Sequence, residues 1–214
     1  MPQKGCIRIY GQGEIEVERV IQYLADLKQA YGAILMFESA IDNIRRADRE
    51  FPYRGYPFAF LMGWPLAPRR SVQTARLWLP GPEEIAAFIS VSDELLLSAT
   101  RLASPGFWEF VGKLNPLEVI RQYLNDRHER RKDREYRETS ERRRLALENL
   151  SLENKVLSER VKIAKELGAT DRDLAPLLKA LVYKPLQALD RHQDDDVIEK
   201  AEFIDRNPGS SPKD

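Results

Sequence analysis

The chain has a single cysteine, Cys6, in 214 residues, so no internal disulfide framework can hold it together. It has only two histidines, His128 and His192. Neither has a cysteine or a second histidine at metal-ligand spacing. No apolar stretch approaches the ~20 residues that cross a bilayer, and the first residues lack a signal-peptide pattern. No sign of charge dominates, because 34 Lys and Arg balance 34 Asp and Glu. That balance argues against a dedicated nucleic-acid or membrane-surface protein. Together these absences predict a cytoplasmic chain with no membrane partner and no cofactor.

Catalytic patterns are equally sparse. Gly11-Gln12-Gly13 follows a strand-like run and precedes a helical one, as a phosphate loop does, but the third glycine and a following Lys-Ser/Thr are missing. A tight turn is the better reading. Glu38 and Asp42 lie one helical turn apart, and acid–base work would need surroundings that separate their pKa values; exposed helix polars explain them better. His192 beside Asp194, Asp195 and Asp196 reads as a solvated helix end in preference to a weak cation site. Cys6 reads as a packing residue of a strand. No nucleophile–base pair emerges, so the chain is expected not to be an enzyme.

What is present is one long helical signal from Asn115-Pro116-Leu117-Glu118 to Leu167-Gly168, free of proline after Pro116. Asn115 suits an N-cap, Pro116 the first helical position and Gly168 a left-handed C-cap. At about 1.5 Å per residue, ~52 residues make a rod ~78 Å long. Leu117, Val119, Ile120 and Leu124 predict packing on the preceding domain. From Asp126 to Arg144 nearly every residue is charged. Pairs such as Asp126–Arg130, Asp133–Arg137 and Glu138–Arg142 sit at the helical i,i+4 spacing. That segment reads as a solvated spacer. The competing reading is a nucleic-acid stripe of Arg127, Arg130, Arg131, Lys132, Arg134 and Arg137, joined by Arg69 and Arg70, but acidic residues alternate with the helical cations.

The last third turns apolar. Leu147, Leu150, Asn154, Leu157 and Val161 keep a 3-4 spacing, as in a coiled-coil seam with one polar register position. Leu145, Leu152, Val156 and Ile163 form a second stripe. Association between chains, with a dimer favoured, is preferred over packing against the C-terminal helices.

In the N-terminal half, Cys6 to Tyr10 reads as a strand. A helix follows with Val17, Val20, Ile21, Leu24, Leu27, Tyr31, Ile34, Phe37, Ile41 and Ile44 on its apolar positions. Phe51 to Arg70 mixes prolines with aromatics, among them Phe58 and Trp64. This is a cover over the core or, through those aromatics, a partner surface. Ser71–Leu79 and Glu94–Leu102 read as strands, Glu83–Ile89 as a short helix. Ser104-Pro105 signals a further helix carrying Phe107, Trp108, Phe110 and Val111. After Gly168, Thr170 with Asp173 suggests a cap, Leu174 to Val182 a short helix, and Pro185 to Leu189 another helical piece. Val197 to Phe203 reads as a last docked turn.

The run Leu95-Leu96-Leu97-Ser98-Ala99-Thr100-Arg101-Leu102-Ala103-Ser104-Pro105-Gly106-Phe107, followed by a charged helix, resembles the bacterial relatives of the TRADD N-terminal domain found in conflict and immunity systems. The resemblance covers roughly residues 71–140. It implies a ferredoxin-like adaptor without enzymatic activity, although no fourth strand is legible after the rod begins. The expected fold is α+β, with linear domains: a sandwich with a small sheet over 1–114, a helical coiled-coil arm over 115–168, a helical segment over 169–206 and a disordered tail over 207–214. The expected function is a non-enzymatic adaptor coupling a protein client to a homo-oligomer. The alternative is a nucleic-acid-binding module built on the basic residues of the charged helix.

Overall fold

A computed structural model describes residues 3–11, 15–50, 81–103, 105–132 and 154–204. The aromatic segment with Phe58 and Trp64, the expected strand Ser71–Leu79, the spacer beyond Lys132, Leu147, Leu150 and the tail lie outside the described residues.

The elements run β1 (Lys4–Gly11), α1 (Val17–Glu50), α2 (Pro82–Phe88), a 3₁₀ turn (Val91–Asp93), β2 (Leu96–Arg101) and β3 (Gly106–Lys113). They continue with α3 (Leu114–Lys132), α4 (Lys155–Glu166), α5 (Asp171–Leu178), a π turn (Lys179–Tyr183), α6 (Lys184–Ala188), α7 (Asp190–Asp194) and β4 (Ala201–Phe203). The class is mixed α+β. The chain divides into two compact units, but not in linear order. Unit one comprises residues 1–31, 90–137 and 188–214; unit two comprises 32–89 and 138–187.

Unit one holds a four-stranded antiparallel sheet in the order β2-β3-β1-β4. Its inner strand β3 corrects the expectation of a helix after Ser104-Pro105. Trp108 and Phe110 alternate with Phe107, Glu109 and Val111, which is a period of two, and aromatics fit a pleated surface. Pairing with all of β1, from Lys4↔Lys113 to Gly11↔Gly106, fixes the choice. A fourth strand also exists. Ala201–Phe203 pairs with Ile7–Ile9 in place of the docked turn. Its shortness hides it from pattern reading.

One sheet face carries Ile7, Ile9, Trp108 and Phe110, all buried. The ring of Tyr23 from α1 lies 5.3 Å from Trp108 and 6.4 Å from Phe110. Leu117, Val119, Ile120 and Leu124 of α3 are buried as the sequence requires. Each such side chain contributes roughly 1.5–3 kcal/mol. The other face carries Arg8, Tyr10, Phe107, Glu109 and Glu202, by strand alternation and register. Two glycines allow close approaches. A Cβ on Gly11 would lie 2.1 Å from the Val197 carbonyl oxygen, and one on Gly112 would lie 2.9 Å from the Tyr31 ring. Tyr31 exploits that fit: its hydroxyl donates to the Asp93 carbonyl and accepts from the Lys113 N–H, both at 2.8 Å.

In α1 the buried side departs from the expected stripe. Val17 and Ile21 are exposed, whereas Tyr23 and Asp26 are buried. In unit two, Gly32 of α1 lets Ile85 and Ile89 come close; a Cβ there would meet Ile89 at 2.7 Å.

The long helical signal does not continue through Asn154. That residue is extended, at φ −76° and ψ 113°, and caps α4: its side-chain oxygen accepts from the N–H groups of Val156 and Leu157. Asparagine is among the best residues for that role, so its place in an apolar spacing is incidental. Gly168 does take the left-handed conformation, at φ +94°. Thr170 and Asp173 form the expected capping box of α5. Pro185 is accommodated by the π turn before it, where the Lys184 N–H reaches back to the Lys179 carbonyl.

Candidate functional site

The first place where chemistry concentrates is a buried polar cluster in unit one. Asp26 of α1 is buried, and three side chains converge on its carboxylate. His192 Nε2 lies 2.7 Å from Oδ2, Arg191 donates through Nε at 3.2 Å and also through Nη2, and Gln22 donates to Oδ1 at 3.3 Å. The His192 ring stands edge-on to Tyr23 at 5.6 Å. This corrects the solvated helix end expected for His192, which is only 4% exposed. Burial also pushes the Tyr23 hydroxyl well above its ordinary range, and that hydroxyl has no hydrogen-bond partner among the described residues. A carboxylate and an imidazole in contact suit acid–base work only when a substrate can reach them. Here the imidazole is enclosed, and the cluster fastens α7 to α1.

The acidic run after His192 is likewise answered by protein cations. Arg127 reaches Asp190 at 3.2 Å and Asp194 at 2.7 Å, and Arg19 lies 3.7 Å from Asp195. Arg127, one of the basic residues of the charged helix, is thus engaged within the fold. Around it, Gln193 donates to the carbonyls of Leu124, at 2.9 Å, and Glu199. Asn125 exchanges two hydrogen bonds of 2.9 Å with the backbone of Ala201, so α3 supplies β4 with ladder partners. Neither Asn125 nor Gln193 stands out in the sequence, because an amide in a helix carries no distinctive pattern.

In unit two, Glu38 and Asp42 are not simple exposed helix polars. Glu38 is buried, and Arg160 of α4 spans both, at 3.9 Å from Glu38 and 2.5 Å from Asp42. The arrangement is an ion-pair clamp between α1 and α4. Among the expected interface residues, Leu157 is fully buried within the chain and Asn154 is the buried cap. Val161 is half-buried. Leu157 is therefore committed to its own unit. Among the described residues no group of three or more His, Cys, Asp or Glu is placed to hold a metal ion, and no helix is long and apolar enough to cross a membrane.

The surface that stands out is the edge of the sheet. Among the described residues β2 pairs only with β3. Leu96, Leu97 and Leu102 are 51%, 48% and 64% exposed. Single exposed apolar residues are ordinary, but three on and beside one edge strand are not. An unpaired edge is a template for another strand, and chains commonly protect it with charge. Here charge stands only at the ends, Glu94 and Arg101, both exposed. Neither has an ion-pair partner among the described residues. The ladder slips between Leu97 and Ala99, and the Ser98 hydroxyl donates to the Glu109 carbonyl at 3.1 Å. The sequence signal was the unbroken Leu95-Leu96-Leu97, which lacks the polar alternation of a guarded edge.

No protein-family model matches the chain, and searches of curated proteins and of solved structures give no significant match.

Proposed function

We propose that the chain is a non-enzymatic cytoplasmic adaptor that associates with protein partners through the exposed edge of β2. The observation carrying the proposal is the apolar exposure of Leu96, Leu97 and Leu102 on a strand with one free side among the described residues. Strand addition at such an edge gains backbone hydrogen bonds, while neighbouring side chains select the partner. This reading moves the partner surface away from Leu157, whose side chain is buried in its own unit.

Unit one also fits a ferredoxin-like domain, as the resemblance to the TRADD N-terminal relatives implies. Support comes from the order strand, helix, two strands, helix, strand, with the short α7 added before β4, and from β1 and β3 lying central with β2 and β4 at the edges. On that reading the chain is an adaptor of bacterial defence signalling. The nucleic-acid alternative draws less support, because Arg127 spends its charge on Asp190 and Asp194.

The test is a photo-crosslinking residue at Leu102 in the full chain, with a second one at exposed Val17 as control, both activated inside producing cells. A protein adduct specific to Leu102 is expected. Equal labelling at both positions, or none, would remove the edge as an association surface.

A further inference from the structure

We propose that the partner of the β2 edge is a second copy of this chain, docked across a two-fold axis so that two β2 strands pair antiparallel and join two sheets into one. The inference rests on the association reading above and names its occupant.

Two identical strands related by a two-fold axis pair so that the residue numbers of facing positions have a constant sum. Setting Glu94 opposite the partner's Arg101 places Leu95 opposite the partner's Thr100, Leu96 opposite the partner's Ala99 and Leu97 opposite the partner's Ser98. Both ends of the pairing then carry an acid facing a base, and its centre is apolar or small. The strand Glu94-Leu95-Leu96-Leu97-Ser98-Ala99-Thr100-Arg101 is in this sense complementary to itself. A parallel pairing of the same strand in register would instead set Glu94 against the partner's Glu94.

In a regular strand this arrangement would fail, because residues seven apart point to opposite faces. The slip between Leu97 and Ala99 removes the obstacle. Leu96 pairs with Val111 and Arg101 with Phe107, and Val111 and Phe107 share one face of β3. Glu94 is extended, at φ −61° and ψ 146°, and lies two residues before Leu96. Alternation places it on that same face, with Arg101. The irregularity thus brings the acid and the base of one strand to the same side, where a two-fold partner presents their complements. Pairing in this manner uses up both copies' β2 edges. Among the described residues the sheet's other edge is β4, which offers only three residues, so a dimer is the expected assembly.

The test measures self-association of the full chain by sedimentation over a range of concentrations, with a near-ultraviolet dichroism check on each variant. The wild type is expected to be a concentration-dependent dimer. Glu94→Arg and Arg101→Glu should each weaken dimerisation about tenfold, since each replaces two opposite-charge cross-strand pairs by like-charge ones. The double variant should recover most of the wild-type affinity, a rescue that only self-pairing produces. Both positions are exposed, so the fold is retained. A wild type that stays monomeric into the high-micromolar range overturns the proposal. So does a dimer that ignores both single substitutions or is not rescued by the double one. A monomeric chain that still crosslinks another protein through Leu102 removes the second copy and leaves the adaptor. A monomeric chain that crosslinks nothing removes both.

Discussion

A methyl group on Gly11 would be driven to 2.1 Å from the Val197 carbonyl oxygen and 2.5 Å from the Trp108 ring. A backbone carbonyl and an enclosed indole cannot retreat. Gly11→Ala should therefore lower unfolding free energy by about 2–3 kcal/mol. Gly168 is the contrast. Nothing lies within 4 Å of a Cβ there, but φ is +94°, so Gly168→Ala should cost only the backbone strain, about 1 kcal/mol. Urea titrations of both variants, read at constant m, check the order. At Asn154 the cap decides the sign. Asn154→Leu should destabilise by about 1 kcal/mol because it removes the acceptor for Val156 and Leu157. Asn154→Ser should retain most of the stability. A leucine variant that melts above the wild type would restore the seam reading. At this scale the sequence was legible where a residue type has one main use. Gly168, Thr170 and Asp173 were readable as caps. Asn154 was not, because asparagine serves both as a cap and as a register position, and the apolar spacing around it favoured the second. Asp26 and His192 were unreadable because their contact spans 166 residues.

Elements show a different limit. The first helix and the strands β1 and β2 follow from periodicity, while β3 is hidden because Ser-Pro is also a helix start. Trp108 and Phe110 on one side of Glu109 held the correct answer, and pairing with β1 decides it. The start of α5 offers a test through pH. The Asp173 carboxyl accepts from the Thr170 hydroxyl, at 2.6 Å, and from the Thr170 N–H, at 2.9 Å. These bonds hold its pKa below the ordinary carboxylate value. A depressed folded pKa contributes stability that is present above the unfolded value of about 3.9 and is lost as pH falls through the folded value. Melting curves of the wild type and Asp173→Ala should therefore differ at pH 6 and converge as pH falls below about 4. A gap that persists in stronger acid would mean that the carboxylate is not what stabilises this turn.

The whole molecule departs most from the linear division expected at residue 114. Unit one draws on three separate stretches of chain and unit two on two. Helix periodicity cannot reveal this, since it reports neighbours within a segment and not which segments meet. A fragment of residues 1–114 lacks α3 and β4, and with them the buried Leu117, Ile120 and Leu124. It should fail to give the near-ultraviolet dichroism of an ordered Trp108. A fragment with native-like dichroism would show that the sheet stands without them.

The pairing of β1 with β4 sets residues near 8 against residues near 202. During synthesis, then, β1 waits for a strand that lies far downstream in the chain, Arg8 for Glu202. Until residue 203 clears the ribosome, Ile7 and Ile9 keep one ladder side unfilled, and a nascent chain with an open strand is a template for its neighbours on the same message. The sheet therefore stays open to such pairing until β4 has been made. A message truncated shortly before codon 201 would encode every buried side chain among the described residues except Ala201 and still yield a chain unable to complete its sheet.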